Sequence, residues 1–124
     1  GFFSYKVDSV NSSSNVHLDE YSGYIYGQGD IIFDYKIDDN IAVTEVIVKS
    51  GVDRYGYNGG ENGEKFIYNY KTSDYEKITL SQGFEKIKDI ENYIENNTMK
   101  IMVTVDEMKG QSMVPRITVK GREK

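Results

Sequence analysis

Two apolar runs separated by a short acidic turn dominate residues 30–49, which read DIIFDYKIDDNIAVTEVIVK. In the first run every second side chain is apolar, namely Ile31, Phe33, Tyr35 and Ile37. This period of two is typical of a half-buried strand, because successive side chains point to opposite faces of a sheet. The second run, 41–48, is rich in Val, Ile and Thr, which favour strands, and Asp and Asn between the runs tolerate turn dihedrals. The segment therefore predicts a strand, a tight turn and a second strand.

Similar strand patterns recur along the rest of the chain. They lie at 2–10, 16–20, 65–72, 75–80, 98–105 and 113–120. Pro115 cannot donate a ladder hydrogen bond, so it predicts an edge or a bulge in the last strand. Gly110 is the expected positive-φ position of the loop before it. This spacing predicts a mainly β fold, an antiparallel sandwich of about seven to nine strands.

The apolar period changes in residues 81–97, where Phe84, Ile87, Ile90 and Ile94 recur at intervals of three to four. Such spacing is typical of an amphipathic helix. Ser81 is a suitable N-cap, and Asn96 with Asn97 a suitable stop. We therefore predict one short helix at 82–95. The alternative is an irregular connection with one short turn.

Composition restricts the classes of function. At 124 residues, 38% of them hydrophobic, the chain is long enough for one core, so residues 1–124 are predicted to form a single domain. The absence of Cys excludes disulfides and thiolate sites. A net charge of −5 disfavours nucleic acid as a partner, and no apolar run is long enough for membrane insertion. The start at Gly1, without Met, predicts a piece of a longer exported protein.

Residues for catalysis are few. The one His, His17, lies in a polar stretch, and no G-x-S-x-G elbow exists. The candidate acids are Asp38, Asp39, Asp53 and Glu64, but acidic residues are expected in turns and loops in any case. The sequence therefore predicts a protein that is not an enzyme.

The Gly-rich stretch 50–64, SGVDRYGYNGGENGE, carries the candidate binding residues. Calcium takes several oxygen ligands from one or two loops, which makes Asp53, Glu61 and Glu64 a candidate calcium site. No other cofactor is expected.

Tyrosine is the most informative surface residue, since eleven of the sixteen aromatic side chains are Tyr. Tyr offers a large contact area at low entropy cost together with a hydroxyl group, so loop tyrosines suit protein or glycan contacts. Tyr55 and Tyr57, with Asn58, are the candidate ligand-binding residues. The pairs 24/26 and 68/70 are instead expected to pack half-buried strands.

Two segments resemble the immunoglobulin-like and fibronectin-III-like modules of bacterial surface proteins. DIIFDYKIDDNIAVTEVIVKSG looks like their second strand, turn and third strand, and MKIMVTVDEMKGQSMVPRITVKG looks like their final hairpin. The chain departs from the pattern in having no Trp, no Cys pair and a helix candidate.

The resemblance implies a non-catalytic structural or protein-binding module of a secreted or cell-surface bacterial protein, located outside the cell. Two alternatives remain open at this point: a glycan-binding module that uses exposed Tyr residues, and the extracellular ectodomain of a sensor.

Overall fold

Antiparallel strands make up most of the protein in the computed structural model, which describes residues 2–3, 5–51 and 63–124, and the side chains of 7–51 and 63–124. The strands are β1 (Phe2–Phe3), β2 (Tyr5–Ser12), β3 (Val16–Leu18), β4 (Tyr24–Gly27), β5 (Gly29–Ile37), β6 (Ile41–Lys49), β7 (Glu64–Asn69), β8 (Asp74–Ile78), β9 (Phe84–Lys86), β10 (Thr98–Val105), β11 (Ser112–Met113) and β12 (Arg116–Glu123). Eight of them have four residues or more. The predicted mainly β, antiparallel fold is confirmed.

A five-stranded sheet has the order β2-β5-β10-β7-β8. Its centre is the pairing of β5 with β10, in which Phe33 lies opposite Ile101 and Tyr35 opposite Met99. All four side chains are fully buried, as the alternation along β5 predicts. The hydrophobic stripe of each strand therefore sets which face of this sheet points inward.

A four-stranded sheet, β1-β12-β6-β9, packs over the inner face of the first. Val48 pairs with Ile117 and Val46 with Val119, and these side chains join the same buried cluster as those of β5 and β10. The chain changes sheets near its start, because β1 pairs with β12 whereas β2 pairs with β5. The two layers form an antiparallel sandwich around one aliphatic core.

A small third sheet, β11-β4-β3, adds to this core through Val16 and Ile25, and its Met113 is also fully buried. Gly27 ends β4 with a φ of 111°. A Cβ at this position would lie 1.9 Å from the Asn15 carbonyl oxygen, so only glycine fits the close approach of the two strands.

Pro115 lies between β11 and β12, outside both strands, so it separates two strands instead of forming an edge position or a bulge within one strand at 113–120. Its carbonyl oxygen accepts a hydrogen bond of 2.5 Å from the hydroxyl of the buried Tyr35 on β5. The break thus places a backbone acceptor in the interior, where a side chain of the opposite sheet satisfies it. Gly110, in the preceding loop, has a φ of 99°, as predicted.

The helix predicted at 82–95 is wrong. Residues 84–86 form β9, and a single 3-10 turn at 90–92 follows. Gly83 and Asp89 interrupt any helical path, because both adopt positive φ, 84° and 54° respectively. The alternative of an irregular connection with one short turn matches 87–97, whereas neither alternative included the strand at 84–86.

Pairing with a neighbouring strand explains why helical spacing fails here. β9 adds to the edge of β6, where Ile47 lies opposite Lys86. The amide of Ile87 donates to the Val46 carbonyl oxygen at 2.9 Å, and the Ile87 side chain is buried. These tertiary contacts outweigh the weak helix propensity of a short β-branched segment. Among the described residues, none forms a helix long and apolar enough to cross a membrane.

Candidate functional site

An aromatic cluster lies on the outer surface of the five-stranded sheet. Phe66, Tyr68 and Tyr70 alternate along the chain with buried residues such as Ile67, so their rings point away from the core. Tyr75 joins them from β8, because it lies directly opposite Tyr68. We call this surface the tyrosine face and define it by Phe66, Tyr68, Tyr70 and Tyr75. All four side chains are half-buried, so each keeps part of its ring open to solvent.

The three tyrosine rings of the tyrosine face pack against one another through Tyr68. The centroid of the Tyr68 ring lies 5.0 Å from that of Tyr70, edge to face at 89°, and 5.0 Å from that of Tyr75 at 58°. Such tilted pairs are favourable, because the edge of one ring meets the face of the next. The cluster is therefore ordered before any partner arrives, and its rings are not coplanar.

The hydroxyl groups of Tyr70 and Tyr75 remain protonated at neutral pH. Burial, together with the negative charges of Asp34 and Glu95, raises the pKa of Tyr70 to about 12, and burial also raises the pKa of Tyr75. The Tyr70 hydroxyl donates to the Thr98 carbonyl oxygen at 3.2 Å. In the ranges described, no hydrogen bond engages the hydroxyl of Tyr68 or Tyr75. Two hydroxyl groups on a half-buried aromatic surface are therefore available to a partner.

An ion pair flanks the tyrosine face. Lys100 lies on β10 beside Tyr68 of β7, because Ile101 pairs with Ile67 and the two strands are antiparallel. Its Nζ is 2.7 Å from Oδ1 of Asp34, whose Oδ2 accepts a hydrogen bond from Ser9 at 2.6 Å. These charges are satisfied within the sheet, so the face presents an apolar centre with a fixed polar margin.

A separate cleft of about 320 Å³ lies between the edge strands β8 and β9. Its central carboxylate, Glu76, accepts hydrogen bonds from the Tyr93 hydroxyl at 2.5 Å and the Asn69 amide at 2.8 Å. The Tyr93 hydrogen bond, and then that of Asn69, lowers the pKa of Glu76. Glu76 in turn raises the pKa of Tyr93 to about 12. This network holds the turn at 90–92 against β8 and keeps Glu76 ionised, which suits structural support better than proton transfer.

Most of the residues predicted for ligand or metal binding lie outside the described residues. These are Asp53, Tyr55, Tyr57, Asn58 and Glu61, all within 52–62. The loop-tyrosine and calcium sites therefore stay predictions. Glu64 is described: it is the exposed first residue of β7, and its Oε1 lies 3.7 Å from Nζ of Lys77.

The other candidate acids lie in the β5–β6 turn, as the sequence predicts. Oδ1 of Asp39 is 2.5 Å from Nζ of Lys36, and this hydrogen bond lowers the pKa of Asp39. Asp38 accepts a hydrogen bond from the Asn40 amide at 3.5 Å, and His17 is exposed on β3. Among residues 2–3, 5–51 and 63–124, no three carboxylate or imidazole side chains are grouped so that they could hold a metal ion.

The tyrosine face was not predicted as a site. The spacing of Tyr68 and Tyr70 places both rings on one side of a strand, which the sequence indicates. The contributions of Tyr75 and Lys100 depend on strand pairing, and no local signal in the sequence reports which strands become neighbours.

A comparison with protein families places almost the whole chain in one family. No curated protein matches the sequence. The family model covers residues 1–121 of the 124. The chain therefore belongs to DUF8815, a family described as a domain of unknown function.

Proposed function

We propose that this domain is a non-catalytic, protein-binding module of a secreted or cell-surface bacterial protein, and that the tyrosine face is its binding surface. The observation that carries the proposal is the packed cluster of Tyr68, Tyr70 and Tyr75, with Phe66 on the same side of β7, on an outer sheet surface. Tyr is enriched at binding hot spots, because it combines a large apolar area with a hydrogen-bonding group.

A protein partner suits the geometry of this face better than a flat saccharide chain. The ring planes of Tyr68 and its neighbours are inclined at 58° and 89°, so they offer an irregular surface rather than a level stacking platform. Side chains of a partner protein can fill such a surface, with the hydroxyls of Tyr68 and Tyr75 as hydrogen-bond donors. The ion pair of Lys100 and Asp34 at the margin resembles the polar rim that surrounds the apolar core of protein interfaces.

Two further features support the proposal that the module is non-catalytic and lies outside the cell. The carboxylate of Glu76 is committed to Tyr93 and Asn69, and that of Asp39 to Lys36. These acids therefore serve the fold rather than a reaction. The resemblance to modules of bacterial surface proteins supports an exported location.

The test starts from purified candidate partners. These are identified by cross-linking the full chain to surface extracts of the encoding organism, and then titrated by calorimetry. Tyr68→Ala and Tyr75→Ala are each expected to weaken binding by at least about tenfold, as truncation of a central interface aromatic does. A glycan array run in parallel tests the saccharide alternative.

Tyr21→Ala and Tyr26→Ala are the matched controls, because both remove an exposed tyrosine that lies away from the tyrosine face. Their side chains are 76% and 42% exposed. Unchanged affinity in Tyr68→Ala and Tyr75→Ala, with both variants folded by circular dichroism, would contradict the proposal. An equal loss in the controls would contradict it too, and so would selective glycan binding that these two substitutions abolish.

A further inference from the structure

The outer surface of the four-stranded sheet carries positive charge on three adjacent strands. The register places Arg116 on β12 opposite Lys49 on β6, and places Lys86 on β9 opposite Ile47. These side chains alternate with buried residues and so point away from the core. Lys120 lies farther along β12 on the same side. We call this surface the basic face and define it by Lys49, Lys86, Arg116 and Lys120.

The carboxylate of Glu45 forms ion pairs with two of the four basic side chains, Lys86 and Lys120. Oε1 of Glu45 lies 2.7 Å from Nζ of Lys86, and Oε2 lies 3.3 Å from Nζ of Lys120. The hydrogen bond from Lys86 is the main cause that lowers the pKa of Glu45. The positive charge of this part of the sheet is therefore balanced within the protein.

Arg116 and Lys49 lack such compensation. They lie directly opposite one another, and like charges in that position destabilise a sheet. Across the described part of the chain, neither makes an ion pair. Nε of Arg116 donates to the Ser50 carbonyl oxygen at 2.8 Å, which holds the guanidinium beside the end of β6.

Protection of an open sheet edge does not explain Lys49. Lysines commonly blunt edge strands, but β6 pairs with β12 at Arg116 and with β9 at Phe84, so Lys49 lies on an interior strand. β1 pairs with β12 only at 119–120, so it does not reach Arg116. A like-charge pair at an interior lysine is a local cost that an anionic ligand would offset, and such departures from local rules are expected at functional sites.

An exposed aromatic ring lies next to Lys49, so that Arg116, Lys49 and Phe84 form a row across three adjacent strands. Phe84 on β9 lies opposite Lys49, on the side away from Arg116, and its side chain is 48% exposed. Neighbouring strands are about 4.8 Å apart, so the row from Arg116 to Phe84 spans roughly 10 Å. Two positive groups, one of them held by Ser50, therefore stand beside one apolar ring, a spacing on the scale of one or two sugar units.

We propose that the basic face binds an anionic polysaccharide. The acidic groups would lie between Arg116 and Lys49, and a sugar ring would stack on Phe84. A protein partner fits less well, because interface cores are depleted in lysine. The net charge of −5 does not prevent this binding, since the Debye length of about 8 Å at physiological salt leaves the local charges dominant. The proposal is independent of the tyrosine face, which lies on the other sheet.

The experiment measures binding of the full chain to heparin and to polygalacturonate, which carry sulfate and carboxylate groups, with neutral dextran as the uncharged polymer. We expect binding to at least one acidic polymer, weakening as salt rises, and no binding to dextran. Lys49→Gln should weaken this binding about tenfold, as expected when a hydrogen bond to a charged group is lost. Arg116→Lys keeps the charge and should retain most of the affinity.

Lys71→Gln/Lys109→Gln is the control, since it removes charge from two exposed turn positions outside this sheet. Lys49→Gln should also leave the free protein as stable as wild type or more stable, because it relieves the repulsion from Arg116. The proposal is overturned if neither acidic polymer binds. It is also overturned if the control loses as much affinity as Lys49→Gln, or if duplex DNA binds more tightly than both polymers with the same dependence on Lys49. Tyr68→Ala should bind as wild type does, which separates this test from that of the tyrosine face.

Discussion

The hydrogen bond between Tyr35 and Pro115 connects the two layers of the sandwich, and Tyr35→Phe removes it with little change in shape. Tyr35 is fully buried on β5, and its hydroxyl donates to the carbonyl oxygen that the break between β11 and β12 leaves in the interior. The phenyl ring keeps the packing volume, so no cavity forms. The Pro115 oxygen, however, loses this donor in a place where water cannot replace it.

The expected loss follows from that unsatisfied acceptor. Leaving one buried polar group without its partner costs about 1–3 kcal/mol of unfolding free energy. A chain of 124 residues unfolds with an entropy of roughly 2.1 cal/mol/K per residue. One kcal/mol therefore corresponds to about 4 °C in Tm, and we expect Tyr35→Phe to lower Tm by about 4–12 °C.

Urea and thermal unfolding, followed by circular dichroism, measure this difference. Tyr68→Phe is the matched control, because it removes a hydroxyl from the half-buried tyrosine face and is expected to change stability by less than about 0.5 kcal/mol. Equal stability of Tyr35→Phe and wild type would refute the reasoning that this hydroxyl joins the sheets. A loss in Tyr68→Phe as large as that in Tyr35→Phe would refute it as well.

Two further predictions concern alkaline pH and one left-handed turn residue. The pKa values of Tyr70 and Tyr93 are raised to about 12, so the folded state holds their protons more tightly than the unfolded chain. Stability is therefore expected to fall as pH rises from the unfolded value of about 10 towards 12, and less steeply in Tyr70→Phe/Tyr93→Phe, which Tm measured against pH would show. The Asn97 amide donates to the carbonyl oxygens of Asp38 at 2.6 Å and Ile41 at 2.9 Å from a residue with φ of 54°. Asn97→Ala should lower the free energy of unfolding by about 2 kcal/mol or more. Asn97→Gly should lower it less, because glycine adopts this positive φ freely. Equal losses in urea unfolding would contradict a contribution from the backbone conformation.

The alternation of apolar and polar residues was sufficient to predict which side chains of a strand are buried. The alternation from Ile31 to Ile37 predicts a buried stripe on β5, and each of those four residues is fully buried. Met99, Ile101, Val103 and Val105 behave in the same way on β10. The break at Pro115 and the positive φ of Gly110 follow from covalent geometry, which is a property of the residue itself.

The apolar spacing predicted the wrong structure in residues 82–95, where tertiary contacts decide the outcome. The spacing of Phe84, Ile87 and Ile90 fits a helix, yet Phe84 is exposed on a strand and Ile87 is buried beside β6. The deciding contribution is the open edge of β6, which offers backbone hydrogen bonds that a short, isolated helix cannot match.

The sequence by itself determined most of the longer strands, their inward-facing residues and most of the turns, because these depend on neighbours within a few positions along the chain. Tertiary structure alone decided which strands lie side by side. Tyr68 meets Tyr75 and Lys100, and Lys49 meets Arg116, only because antiparallel pairing brings together residues that are up to 67 positions apart. Both candidate surfaces depend on that pairing, since a single strand supplies one row of side chains and a binding face needs several adjacent rows.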